Sequence, residues 1–528
     1  VRILVFHGYL LGGTGSNVYN ARLAAAFVTQ GHEVHLLSQD RHPERQAFVN
    51  AVGDWDEGAL SVHEVRERGS QVGSCTVYRP NIGDLLPVYV ADRYEGLQAR
   101  TFAECSDQEI ARYLDANVGA VAELVELVSP QVALANHLIM GPAILARALG
   151  GRVPYAVKVH GSALEYTVKP NPERFLPFAR EGLAPAAGVL VGSHHTAASL
   201  WRAIADDSVR RRTRLGPPGV DVERFAPREP APAAAGLAAL AARLQDTAAE
   251  APGAQAESQD AFARDERAAG DVLARLNPIE DRLVVFVGKL IVSKGVDLLL
   301  AAWPLVTQRV PAARLVLVGF GAYREGLESL HEALTRGDIE RAQQIARAGR
   351  TLEGETGAAR ALSHLLAFLE GLEGDALAAY LDAAGSLGES VVLTGRLDHA
   401  ELAELLPACE AIVVPSTFPE AFGMVAAEAA ACGALPVSAG HSGLAEVSEA
   451  LARAVPSEIA GLLSFPVDDG AVEALAMRVV GWLRADPVVR ALAREGLVET
   501  VRELWSWDGV ARGVIAAARG ELEDLREP

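Results

Sequence analysis

The stretch Pro419-Glu420-Ala421-Phe422-Gly423-Met424-Val425-Ala426-Ala427-Glu428 holds the logic of the whole chain in one segment. It follows the apolar run Ala411-Ile412-Val413-Val414, which reads as a buried parallel strand. Phe422 to Cys432 reads as a helix closed by Gly433. In such a unit the strand's carboxyl end, the loop and the helix N-terminus enclose a polar crevice, where free N–H groups and the helix dipole favour anions. Glu420 falls in the loop at that crevice, and Glu428 about one and a half turns into the helix. A carboxylate is a poor neighbour for phosphate but a good acceptor for hydroxyls. The combination points to a ligand with both phosphates and sugar hydroxyls, a nucleotide sugar. The plainer alternative makes Glu420 an acidic residue near a helix start and Glu428 an exposed helical glutamate.

The same grammar recurs on either side. Arg2 to Phe6 reads as a strand, His7 to Asn17 as a glycine-rich loop and Val18 to Gln30 as a helix. Gly31-His32-Glu33 then turns into a strand over Val34 to Ser38, a βαβ unit that opens a doubly wound sheet. Further strands are expected at Val132–Ala135, Ala156–Val159 and Gly188–Val191, and the pattern runs on to Gly219. A fresh start comes at Leu283 to Gly288, with a helix over Val296 to Val306 and strands at Arg314–Val318, Val391–Leu393, Ala411 and Leu435. Between these lie an alanine-rich insertion, about 228–276, read as partly helical and partly mobile, and a helical one, about 334–388. Trp505 to Leu525 reads as a single amphipathic helix. The expected class is α/β, two doubly wound Rossmann-like domains facing a cleft, with helical insertions. The boundaries are 1–220, 221–503 and a terminal helix over 504–528.

At 528 residues the chain exceeds one ordinary core. No uncharged apolar run reaches the length of a membrane span, and Val1 to Phe6 reads as a first strand rather than a leader. A cytoplasmic enzyme is expected, with peripheral attachment to the inner face of a membrane left open. A formal charge of −20 argues against a nucleic-acid partner. Cys75, Cys105, Cys409 and Cys432 lack metal-ligand spacing and read as buried thiols, and no metal site is expected.

Of the 48 basic residues only Lys158, Lys169, Lys289 and Lys294 are lysine. Lys289 and Lys294 flank the mouth of the second domain's first strand. Two ammonium groups there can neutralise a diphosphate and stabilise it as a leaving group; the alternative is a solvated surface pair. His160, before Gly161, follows a strand end where an imidazole can meet a sugar hydroxyl, or it is structural. Lys158, inside that strand, is expected to be partly buried and paired. Gly12-Gly13-Thr14-Gly15 can cradle phosphate or simply turn the chain. A dinucleotide fingerprint is absent, although Asp40 follows the second strand. Ser438 to Gly443 is a further strand-end loop lining the same crevice as Glu420. Arg396 lies either near a nucleotide base or at the surface.

The ordered set of motifs resembles the retaining glycosyltransferases of family 4, within the group 1 glycosyltransferases of GT-B fold. It comprises the Gly12–Gly15 loop, Gly31-His32-Glu33-Val34, Val159-His160-Gly161, Pro217-Pro218-Gly219-Val220-Asp221 with Phe225, and Gly288-Lys289 with Lys294-Gly295. Val318-Gly319, Thr394-Gly395-Arg396, Pro415-Ser416 with Glu420 to Gly433, and Ser506-Trp507 complete it. The resemblance implies that Glu428 holds the ribose hydroxyls. It gives Glu420 the transferred sugar, with the N–H groups of Phe422, Gly423, Met424 and Val425 nearby. His160 then reaches the sugar from the first domain, Gly13 and Gly15 border the diphosphate, and the helix after Trp507 crosses back to the first domain. The family's basic pair is an arginine and a lysine. Lys289 departs from it, keeping the charge without the bidentate fork.

The expected activity is therefore that of a hexosyltransferase-type enzyme. It moves a sugar from a UDP-, GDP- or ADP-sugar to a carbohydrate, lipid-linked or small-molecule acceptor, with retained configuration and no cofactor or metal. Acceptor choice is assigned to first-domain loops, including Asp40 to Arg100. A sugar-nucleotide epimerase, a phosphorylase and a non-catalytic sugar-nucleotide binder are the alternatives.

Overall fold

A short strand that is apolar at every position needs cover on both faces, which a parallel sheet between helices provides. A computed structural model describes residues 1–56, 58–69, 72–90, 97–250, 264–354 and 360–528. The chain divides into two compact units, Val1–Gly219 with Trp505–Pro528, and Val220–Leu504.

In the first unit the described strands are β1 (Arg2–Phe6), β2 (Glu33–Leu37), β3 (Ala51–Asp56), β4 (Ala59–Glu64), β5 (Ser74–Arg79), β6 (Leu85–Val88) and β7 (Gln98–Thr101). They continue with β8 (Val132–Asn136), β9 (Tyr155–Val159), β10 (Gly188–Val191) and β11 (Thr213–Leu215). Nine of them form one sheet in the order β11-β10-β9-β8-β1-β2-β5-β3-β4. Every pairing in it is parallel except β3 with β4. One apolar cluster joins the outer helices to β8 and β9. The other joins helix Gly15–Thr29 to Ala511, Val514, Ile515 and Ala518 of the terminal helix. That spacing lays one stripe of the terminal helix on this unit.

The second unit holds β12 (Arg282–Val287), β13 (Ala313–Val318), β14 (Val391–Gly395), β15 (Ala411–Val414), β16 (Leu435–Ala439) and β17 (Ser464–Phe465). All are parallel, in the order β14-β13-β12-β15-β16-β17. This is the doubly wound order whose direction reverses between the first strand, β12, and the fourth, β15. Helix Val296–Thr307 is buried nearly all round, Trp303 included. The inserted helices Ser363–Gly371 and Gly374–Ala384 and helix Ala471–Arg484 cover it, and Tyr380 Oη donates to Ala301 O at 2.9 Å.

Several boundaries differ from the sequence reading. The first helix starts at Gly15, not Val18, so the glycine-rich loop is shorter. The terminal helix is Trp507–Arg519, stopped by Gly520 at φ 79°, and does not extend over the whole of Trp505 to Leu525. The Asp40–Arg100 region contains β3 to β7; β4 is almost wholly exposed, so it carries no apolar run to reveal it. In the alanine-rich insertion, helices Pro230–Glu250 and Glu266–Leu273 are present. The part read as mobile falls on 251–263, outside the described residues. All four cysteines are free and buried. Among the described residues no helix is long and apolar enough to cross a membrane.

Candidate active site

Ligands of open α/β sheets lie outside the strands' carboxyl ends, at the point where strand order reverses. In the second unit that point separates β12 from β15, which pair directly through Val284–Ala411 and Val285–Ile412. The loop after each strand is therefore forced against the other. Gly295 stands at φ 65°, and a Cβ there would sit 2.0 Å from Pro415 O, so only glycine permits this approach. Thr417 N–H donates to Ser293 O at 2.9 Å and seals the two loops together.

This junction brings Lys294 onto Glu420, although 126 positions separate them in the chain. The Lys294 ammonium donates to Glu420 Oε1, and Ser416 Oγ donates to the same oxygen at 2.7 Å. Glu420 N–H donates to Ser442 Oγ at 2.9 Å, and Gly443 N–H to Glu420 O at 3.0 Å. The chain just after β16 thus lines the same crevice, although Ser438 and Ala439, read as loop, belong to the strand, and Ser442 and Gly443 open helix Ser442–Ala452. Burial pushes the Glu420 carboxyl up. The charge and hydrogen bond of Lys294, helped by Ser416 and His441, outweigh it and leave the group below its ordinary range.

Behind Glu420 the chain turns into helix Met424–Ala431, two residues later than the sequence indicates. Gly423, at φ 132°, occupies the N-cap position and supplies no side-chain cap. Phe422 stays in the loop and is buried. Glu428 sits about one turn into the helix with only 3% of its surface exposed, which removes the reading of a solvated helical glutamate. His399 Nε2 lies 2.7 Å from Glu428 Oε1. Since a carboxylate only accepts, that nitrogen carries the proton. The Phe225 ring packs edge-on against His399 at 4.7 Å.

The two lysines make different contacts. Lys289 directly follows Gly288 and its ammonium lies 6.0 Å from the centroid of the Phe320 ring, whereas Lys294 closes the short turn Val292–Lys294. Arg396 donates to Asp398 at 2.7 Å. His399 was not singled out from sequence, whereas Ser416 stood in the motif set and Ser442 within the Ser438–Gly443 loop, neither with a partner assigned.

In the first unit the sheet reverses between β1 and β8, and the residues beyond those strands form an imidazole cluster. His7 stacks on His137 at 6.0 Å, and His137 lies 4.9 Å from His160. His160 Nε2 is 2.8 Å from Asn136 Oδ1, while Asn136 Nδ2 donates to Phe6 O at 3.2 Å. The second bond fixes the amide's orientation, so Nε2 carries the proton and Nδ1 is left as an acceptor. Burial, then His137, Lys158 and His7, hold His160 well below its ordinary range, so it is neutral. After β2, Asp40 accepts from Leu11 N–H at 2.8 Å and ties its loop to the glycine-rich loop after β1. Gly13 is half-buried at φ 90° and Gly15 is exposed at the first helix's start. Among the described residues no three His, Cys, Asp or Glu side chains are grouped to hold a metal ion.

Lys158 is more deeply buried than its sequence implied, at 2% exposure. Its ammonium donates to Gly216 O and lies 5.4 Å from the centroid of the Tyr19 ring. Burial lowers its pKa from 10.5 to about 7. The unfolded chain then binds a proton that the folded one refuses between those values. The destabilisation is absent above 10.5, grows as pH falls and is complete below about 7. Relative to wild type, Lys158→Met should therefore lose ground in Tm by several degrees as pH rises from about 7 to about 10. A gap in Tm that stays constant across this range would contradict it.

Comparison with known proteins places these two clusters in context. The profile described as "Glycosyl transferase 4-like domain" matches residues 14–216. Profiles described as "Glycosyl transferases group 1" match 281–354 and 373–484. The D-inositol 3-phosphate glycosyltransferase of Segniliparus rotundus is 28% identical over 261 residues, 49% of this chain and 44% of that protein. The chain spans about half the length of the curated relatives it matches. Sucrose-phosphate synthase of Thermosynechococcus elongatus has a similar structure, with TM-score 0.57, 19% identity and 99% of each chain covered. Anabaena Alr3699/HepE, solved in complex with UDP and glucose, gives TM-score 0.55 and 15% identity over 98% of this chain and 99% of its own. At such identities the likeness is one of fold, and that fold is GT-B. With both units matched in this way, the chain belongs to the group 1 glycosyltransferases.

Proposed function

We propose that the protein transfers a glycosyl group from a nucleoside diphosphate sugar to an acceptor hydroxyl, with retained configuration. The observation that carries this reading is the Lys294–Glu420 pair at the switch point of the second unit, beside a helix start that no side chain caps. Lys294, Lys289 and the N–H groups of Phe422 to Val425 suit a diphosphate and stabilise its departure, so the reading requires no metal. Glu420, held ionised, suits the hydroxyls of the transferred sugar. It is a weak base at neutral pH, so the acceptor's proton goes instead to a diphosphate oxygen. That oxygen lies on the face the leaving group departs from, and attack on the same face preserves configuration.

Glu428, aligned by His399, suits the ribose hydroxyls, and Arg396 the base. In the first unit, His160 Nδ1 suits a hydroxyl and the loop with Gly13 and Gly15 suits a phosphate. The acceptor is a carbohydrate, a lipid-linked saccharide or a small polyol.

UDP-, GDP- and ADP-sugars provide the test. One base should raise Tm by several degrees at saturating donor and release its nucleoside diphosphate with an acceptor. Glu428→Ala should abolish that stabilisation, because the ribose loses its buried acceptor. No response to any donor, or an undiminished one in Glu428→Ala, would overturn the reading.

A further inference from the structure

Leu290 and Ile291 link Lys289 to the turn Val292–Lys294, and three backbone groups of this loop are held by neighbouring strand-end loops. Leu290 N–H donates to Phe320 O at 2.6 Å, Leu290 O accepts from Tyr323 N–H at 3.0 Å, and Ser293 O is held by Thr417. Val292 is different. Ile291, before the turn, is extended at φ −132° and ψ 152° and caps nothing with its apolar side chain. Val292 is 7% exposed, so its N–H lies away from solvent at the start of the turn that ends in Lys294. Its partner comes from outside the sheet: it donates at 2.7 Å to Oε1 of Glu353, which lies 61 positions on, in the second helical insertion.

The turn Gly349–Glu353 that carries this carboxylate is itself tied down. Leu362 N–H donates to Ala346 O at 2.8 Å and Arg350 N–H to Arg360 O at 3.3 Å. An acceptor bonded to the first N–H of a turn does what an N-cap side chain does for a helix, here delivered from a distant segment. The bond is charge-assisted and therefore short and directional.

We propose that Glu353 is a positioning residue for the diphosphate: by bonding Val292 N–H it fixes the turn that presents Lys294, and the insertion serves as a buttress for the donor loop. This role rests on the nucleotide-sugar reading above. Glu353 touches no substrate; it acts through Lys294. What Val292 needs is an acceptor oxygen of the right reach, which glutamine retains and which alanine and aspartate lack.

The full-length protein is compared as wild type, E353A, E353D and E353Q, with UDP, GDP and ADP as probes and the matching nucleosides as controls. In E353A and E353D, amide exchange across residues 288–298 should quicken about tenfold, and affinity for the preferred nucleoside diphosphate should fall about tenfold. Nucleoside affinity should stay within about twofold in both, and E353Q should recover most of both losses. Unchanged exchange and affinity in E353A would overturn the proposal, as would an E353Q as impaired as E353A. Equal loss of nucleoside and nucleoside diphosphate would reduce Glu353 to a general structural role and overturn it too. A wild type that binds none of the three diphosphates would overturn the function itself, and this role with it, and is distinguished by the wild-type arm alone.

Discussion

Glu420→Ala is expected to lower turnover by about two to three orders of magnitude while leaving the fold intact, the range seen when one preorganised polar group is removed from a reacting centre. The loss should appear mainly in kcat, because Glu420 meets the sugar that develops charge rather than the nucleotide that supplies most binding. Folding should hardly notice. The Lys294 and Glu420 side chains are 29% and 24% exposed, and an ion pair so close to solvent contributes about 1 kcal/mol or less. Far-ultraviolet dichroism and Tm within a few degrees of wild type would establish that point. The ionisation of Glu420 also fixes the pH behaviour. Its folded pKa lies below the ordinary carboxylate value, so its stabilising contribution is complete above that value and fades only as pH falls through the folded one. Glu420 should therefore contribute no limb to the wild-type rate profile between about pH 5 and pH 8. A variant that turns over like wild type would remove Glu420 from the chemistry.

How much of this was legible beforehand follows from the range over which each feature is encoded. Ala411–Val414 and Gly188–Val191 were found at their actual boundaries because a strand covered on both faces is written locally, as an uninterrupted apolar run. The exposed strand Ala59–Glu64 writes no such run. Gly423 shows the same limit at a boundary: the sequence reads a helix from Phe422, but a backbone at φ 132° postpones it to Met424. Within the site, residue types and strand-end positions pointed to Glu420, Glu428, Lys294 and His160. Partners did not, since they are fixed by strand order. Nothing near Glu428 indicates that His399 will bond it, and nothing near Lys294 indicates that it meets Glu420 while Lys289 turns to Phe320. The direct contact of β12 and β15 decides this, a consequence of topology rather than of any local pattern.

Lys294→Met tests the other half of the pair and should be the more disruptive of the two lysine substitutions. It removes the ammonium that balances Glu420 and, on the proposed mechanism, the charge that stabilises the departing diphosphate. Two consequences are expected together. First, kcat/KM for the donor should fall about 10²–10³-fold, because positive charge at the leaving group acts chiefly in the transition state. Second, Glu420 loses the strongest influence that lowers it and keeps the effect of burial, so its pKa should rise. The residual activity should then acquire an acid limb that wild type lacks, rising with pH as Glu420 ionises. Lys294→Arg restores charge and should recover part of the rate without that limb. Lys289→Met, whose ammonium rests near the Phe320 ring and not on the carboxylate, should weaken donor binding without introducing the limb. The paired signature separates the two lysines: a Lys294→Met profile parallel to wild type at every pH would mean that the carboxylate does not depend on its ammonium, and the assignment of roles at the switch point would fail.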